Sequence, residues 1–209
     1  RLFPILFYLD RGWSREHLRD VFPLDESQPP GPSKWLAAFA LFVIDRPMHR
    51  ELFELLQQNY VYAVSYWQEC MTRSGALGHH FGERLLSHII AGYFAGLVGL
   101  DGQSLLVRAL ENASDNDRAS NARALGEWFR EVATKDEAQR SDFWRTKGNI
   151  IVQYWQQRVM RISAIGKENA AGEAEGLLGW LPAVPWHISQ TGNQLRSLLE
   201  AAREDWPLE

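Results

Sequence analysis

The stretch DEAQRSDFWRTKGNIIVQYWQQRVMRISAIGK, residues 136–167, decides the fold class. Phe143, Lys147, Ile150 and Tyr154 fall on one row, and Trp144, Ile151, Trp155 and Val159 on its neighbour. Steps of three and four residues bring side chains onto one helical face, whereas a strand would need alternation. No proline interrupts the run, so the spacing predicts one long helix from just after Asp136 to beyond Arg161.

Working outward, the same period recurs on both sides. Ser114 followed by Asp117 has the form of a capping box with a shorter acid, and Ala119, Ala122, Leu125, Trp128, Phe129 and Val132 continue it as a helix. Leu105, Leu106, Ala109 and Leu110 form a short one. Phe81, Leu85, Ile89, Tyr93 and Phe94 mark another, ending among Gly96, Gly99 and Gly102. Leu52, Leu55, Leu56, Tyr60, Ala63, Val64 and Trp67 predict a helix from Pro47 to about Cys70. It pairs across Asp45-Arg46-Pro47 with the apolar helix of Trp35, Leu36, Phe39, Ala40, Phe42 and Val43. At the N-terminus, Leu2 to Leu9 suits a short helix with Pro4 in its first turn, and Ser14 is the expected cap of the next. Residues 23–33 carry Pro23, Pro29, Pro30 and Pro32 around Gly31 and are expected as a loop. Residues 166–172 are small and polar and are expected as a flexible connection. Leu177, Leu178, Trp180 and Leu181 form an apolar cluster, and a last helix is expected from Gln190 through Ala202.

No run of alternating β-branched residues occurs, so the class is all-α. Hairpins recur about every 40 residues, which is the size of a degenerate two-helix solenoid unit. Residues 1–209 are therefore expected as one helical domain or a HEAT-like solenoid segment of stacked antiparallel hairpins, with an irregular helical bundle as the alternative.

Composition narrows the function classes. A hydrophobic share of 45% with 23% charged residues is that of a folded chain. Nine Trp, ten Phe and six Tyr supply large rings for helix crossings. A net charge of -4 without a basic run argues against general nucleic-acid binding. The longest apolar candidate for a membrane span, Ile89 to Leu100, is interrupted by Gly92, Gly96 and Gly99. Cys70 is the single cysteine. That leaves no internal disulfide and makes the cytoplasm the expected compartment. The chain opens at Arg1 rather than Met, as expected of a piece of a larger protein.

The candidate chemistry is thin. His79, His80, Glu83 and His88 gather at the start of one helix, but Arg84 stands between His80 and His88 and the metal-binding patterns H-E-x-x-H and E-x-x-H are missing. No metal, cofactor or catalytic residue is expected. Cys70 reads as a buried structural thiol, since no oxyanion-forming turn lies nearby. Arg140, Arg145, Lys147, Arg158, Arg161 and Lys167 outnumber Glu137, Asp142 and Glu168 on the long helix. Arg158 and Arg161, with Trp155 beside them, are the candidate interaction residues, because arginine with an aromatic ring is the composition of interface hot spots.

Trp35-Leu36 before a prolyl break, the Leu52, Leu55, Leu56, Tyr60 helix, Ala113-Ser114-Asp115 leading to Arg118 and Leu125, and Trp155-x-x-Arg158 together give a resemblance. The chain resembles the helical C-terminal regions of large bacterial multidomain proteins, including ones that carry a sirtuin-like or nucleotide-hydrolysing domain upstream and act in anti-phage defence. The resemblance implies no catalytic residue in this segment. The expected role is sensing, scaffolding or protein–protein interaction, with a protein partner or other domains of the parent as the contact and oligomerisation running through the parent. The alternative is a helical enzyme domain with a dispersed active site.

Overall fold

The computed structural model describes residues 3–24, 34–75, 78–165 and 169–184. Every regular element among the described residues is a helix, and no strand occurs among them. The chain folds into two compact units, Arg1–Ala113 and Ser114–Glu209.

The first unit holds α1 (Phe3–Leu9), α2 (Arg11–Glu16), α3 (Leu18–Val21), α4 (Lys34–Asp45), α5 (Arg50–Leu55), α6 (Gln57–Ser65), α7 (Trp67–Arg73), α8 (Gly78–Phe94) and α9 (Leu105–Asn112). Pro4 sits in the first turn of α1, where its missing N–H costs no helical bond. Asp10, not Ser14, caps α2, because its carboxylate accepts the Trp13 N–H at 2.9 Å. Ser14 is buried one turn further on. The long helix expected from Pro47 to Cys70 begins only at Arg50 and is broken at Leu56 and Tyr66. The hydrogen-bond ladder nevertheless runs on through both, as Leu56 donates to Leu52 and Tyr66 to Tyr62. The apolar period therefore survives the breaks.

Helix α8 packs against α4, α7 and α9. Its Phe81, Leu85, Leu86, Ile89 and Ile90 are buried. Around Phe39 gather the rings of Phe22, Trp35, Phe42, Tyr60 and Phe81, at centroid distances of 5.2 to 6.2 Å. This is the interior for which the aromatic load was expected. Trp35 satisfies its buried indole N–H on the Asn59 side-chain oxygen at 2.7 Å. After α8, Gly96 takes a φ of 76°. Its N–H donates to the Tyr93 carbonyl, and Leu97 reaches back to Gly92. That pair of bonds ends the helix in the left-handed turn glycine favours. Of the Pro-rich loop, Pro23 and Leu24 are non-helical; residues 25–33 lie outside the described residues.

The second unit holds α10 (Asp115–Ala133), α11 (Glu137–Ile165) and α12 (Ala171–Leu178). The capping box is present: Ser114 Oγ accepts the Asp117 N–H, and the Asp117 carboxylate accepts the Ser114 N–H. Helix α11 is the long element the opening stretch called for, with 29 residues. Its buried residues begin only at Ile151 and include Tyr154, Trp155, Val159 and Ile162. Helix α12 lies along α10. Of the connection expected at residues 166–172, Ala170 is fully buried, α12 begins at Ala171, and the Gly172 N–H is bonded to Asp115. Residues 166–168, and the helix expected from Gln190, lie outside the described residues.

Close approach explains part of this seat. A Cβ on Gly176 would lie 2.8 Å from the Ala122 Cβ and 3.1 Å from the Ala119 carbonyl oxygen, so only glycine lets α12 approach α10 this closely. Trp180 closes the far end. Its indole N–H donates to the Ala122 carbonyl at 2.7 Å, and its ring stacks on Tyr154 and meets Phe129 edge-on.

Candidate functional site

Three arrangements in the described residues bear on function, and the first is a buried charge cluster in the second unit. Glu173, at the start of α12, is 1% exposed. Arg158 of α11 grips it with a fork, Nε donating to Oε1 at 2.6 Å and Nη2 to Oε2 at 2.9 Å. Arg118 of α10 donates from Nε to Oε2 at 2.9 Å, and its Nη2 donates to the Asn169 carbonyl at 2.8 Å. Asp115 stands 3.7 Å from Arg118. Its two oxygens accept the N–H groups of Gly172 and Glu173 at 3.0 and 3.2 Å. The first backbone donors of α12 are thus capped in trans by a carboxylate on α10, which suits the positive end of a helix.

In this cluster two guanidinium groups face two carboxylates, so the charges balance. Taking such a set out of water costs several kcal/mol per ion, and only complete pairing offsets that. Both Glu173 oxygens are held by arginine donors, and neither is turned to solvent. The arrangement clasps three helices together.

Two of the three expected interaction residues therefore change place. Arg158 is 2% exposed and Trp155 0%. They lie on the inward face of α11 with Ile151, Tyr154, Val159 and Ile162, so they are interior groups and not a contact surface. The reason is Glu173, which draws a cation into an otherwise apolar stripe from a helix that helical periodicity alone does not relate to α11. Arg161 remains exposed. Sequence reasoning missed Glu173 altogether. The available signal was the Gly172-x-x-x-Gly176 spacing around it, which marks a close helix contact. Asp115, Arg118, Trp155 and Arg158, quoted above among the residues that carry the resemblance, all lie in or beside this cluster.

The second arrangement is the outer half of α11. Over residues 137–150, about four turns, no side chain is buried. Phe143 and Trp144 lean on Trp128 and Phe129 of α10. Beside them runs an open groove of about 560 Å³ lined by Glu137, Arg140, Ser141, Trp144, Arg145 and Gly148, with Val184 on its edge.

The third is a hydrogen-bonded chain inside the first unit. His88 Nε2 lies 2.7 Å from the Arg46 carbonyl oxygen, and Nδ1 lies 2.7 Å from the Tyr60 hydroxyl. A carbonyl only accepts, so Nε2 carries the proton and Nδ1 accepts from Tyr60. Burial pushes the His88 pKa down to about 4, against the Arg46 carbonyl bond that raises it and with the Arg84 cation that lowers it. Burial likewise pushes Tyr60 above its ordinary value. Both side chains are sealed from solvent, so they tie α6 and α8 to the turn that follows α4. His88, grouped by sequence with His79 and His80 at the start of one helix, is 2% exposed. His80 is exposed, and the side chain of His79 lies outside what is described. Among the described residues no group of three or more His, Cys, Asp or Glu side chains is placed to hold a metal ion. Cys70 is buried, and its thiol is pushed up to about 12, first by burial and then by Glu69. No helix among the described residues is long and apolar enough to cross a membrane.

Set against protein-family models, curated proteins and solved structures, the chain matches none of them.

Proposed function

We propose that this chain is a non-catalytic helical interaction module of a larger protein, and that the outer half of α11 is the surface it presents to a protein partner or to another domain. The observation that carries this reading is the run of about four turns of α11 with no buried side chain, beside an open groove. Helices in a folded unit bury one face, and this stretch leaves its side chains at most half-buried, so part of it is open for something else to cover. In the groove Arg140 and Arg145 flank Trp144, with Glu137 on the lining and Asp142 paired to Arg145. That composition suits an acidic protein surface with an apolar anchor. The most deeply buried charged groups, Glu173 and Arg158, are engaged in holding helices together, which supports an interaction role over an enzymatic one. The resemblance supports a bacterial anti-phage defence protein as the setting, and the single cysteine supports the cytoplasm as its compartment.

The test is a photo-crosslinking residue at Ser141, on the groove, used in the native host with the whole parent protein. A specific crosslink to one protein or domain is expected, and it should disappear when Arg140→Glu and Arg145→Glu are combined. Each of these exposed changes should alter stability by no more than about 0.5 kcal/mol. A crosslink that survives the double charge reversal, or none at all from Ser141, moves the interface elsewhere.

A further inference from the structure

Exposed apolar side chains are concentrated in one region of the first unit. Of the seven large hydrophobic side chains exposed among the described residues, Ile5, Tyr8, Leu9 and Trp13 lie on α1 and α2, and Leu41 lies on α4. Helix α1, FPILFYL, carries no charged residue. Its Phe3, Pro4 and Phe7 are buried, while Ile5, Tyr8 and Leu9 share the outer face at steps of three and four. Leu9, at the end of α1, is the most exposed of them at 78%. At the opposite end of α1 lies a mainly apolar cleft of about 80 Å³, lined by Phe3, Pro4, Phe22 and Leu41 among others.

A projecting side chain at one end of a helix and a cleft at its other end are complementary to themselves. Two copies of α1 laid antiparallel about a two-fold axis bring each Leu9 to the other copy's cleft, the reciprocal contact that an isologous interface requires. The helix rises only about 10 Å from end to end, so both contacts fit in one patch. Area points the same way. At roughly 200–250 Å² for a whole side chain, exposures of 47, 55, 78 and 39% at Ile5, Tyr8, Leu9 and Trp13 leave about 500 Å² open on each copy. That is near the upper end of the apolar patch a monomer leaves in water, and more than half of the about 800 Å² per partner in a stable interface. The exposed charges beside the patch carry both signs in equal number, Arg11, Arg15 and Arg19 with Asp10, Glu16 and Asp20. Such a rim selects neither an anionic membrane nor a strongly charged partner, and it suits a second copy of itself. We propose that the outer face of α1, with Trp13 and Leu41, is a homodimer interface in which Leu9 of each copy seats in the other's cleft between α1, α3 and α4. The surface belongs to the first unit and the α11 groove to the second, so either proposal can fail without the other.

The experiment is sedimentation equilibrium of the full chain from about 1 to 100 µM. The mass should rise with concentration from one copy to two and stop there, because a two-fold contact closes on itself. Leu9→Glu and Leu41→Glu, on the two sides of the contact, should each raise the dissociation constant at least about tenfold, with helical circular dichroism unchanged because both side chains are exposed. Met160→Glu, at a comparably exposed apolar position on α11, should leave the dimer intact, as should the pair Arg140→Glu with Arg145→Glu. If Leu9→Glu or Leu41→Glu loses helicity, Ile5→Lys takes its place under the same criterion. A chain that stays monomeric throughout overturns the proposal. So does a dimer that survives the substitutions on α1 and α4, or one that dissolves in the α11 variants. Mass that grows past two copies makes the contact head-to-tail and overturns the two-fold pairing.

Discussion

Replacing Gly176 by alanine sets two effects of known size against each other, and the structure decides the sign. In a helix interior alanine is favoured over glycine by about 1 kcal/mol, because glycine surrenders more backbone freedom on folding. At Gly176 the added Cβ lands 2.8 Å from the Ala122 Cβ and 3.1 Å from the Ala119 carbonyl oxygen. Neither neighbour has a rotamer through which to retreat, so α12 must lift from α10, and overpacking of this kind costs about 1–3 kcal/mol. Lifting also lengthens the bonds from Gly172 and Glu173 to Asp115, which pushes the cost toward the upper end. The net expectation is a loss of about 1–2 kcal/mol. Gly148 in α11 is the control, since a Cβ there meets nothing within 4 Å. Gly148→Ala should therefore stabilise by about 0.5–1 kcal/mol. Urea denaturation of both variants, followed by circular dichroism and tryptophan fluorescence, measures the difference, expected at about 1.5–3 kcal/mol. If Gly176→Ala stabilises the chain as much as Gly148→Ala, the close seating of α12 on α10 is wrong, and the clasp built on it with it.

Removing one partner from the buried cluster leaves an uncompensated charge, so Glu173→Gln or Arg158→Met should each cost about 3–5 kcal/mol in denaturant unfolding. Arg161→Glu, on the exposed side of the same helix, should stay within about 0.5 kcal/mol, and comparable losses from Arg158 and Arg161 would contradict the assignment of inside and outside. His88 is held neutral with its pKa near 4, so its contribution stands in full above the ordinary imidazole value near 6.5 and drains away as pH falls toward 4. About 3 kcal/mol should be lost by pH 4, and the variant His88→Gln should lack that slope between pH 7 and 4.5. Parallel slopes for the two proteins would remove His88 from the acid response. The Cys70 thiol, buried and pushed up to about 12, should react with a thiol reagent at pH 8 only when denaturant is present; rapid labelling of the folded chain would put it at the surface.

Helical class and several element boundaries were legible in the sequence because they depend on neighbours three and four residues away. The rows of Phe143 to Tyr154 and Trp144 to Val159 required a long helix, and α11 is that helix. Ser114 and Asp117 specified the start of α10 through bonds closed within one turn. Pro4 and Gly96 acted as their backbone geometry demands. Tertiary structure alone decided which side of α11 is interior, and it placed Arg158 there against the ordinary tendency of arginine. A buried charge is tolerable only where a partner meets it, and that partner, Glu173, comes from another helix that no helical period relates to α11. His88 went inside for the same reason: the Arg46 carbonyl, just past the end of α4, and the Tyr60 hydroxyl of α6 satisfy both ring nitrogens. Periodicity reports where a side chain points on its own helix. Whether that direction leads to water or to a complementary charge is fixed only when the helices meet.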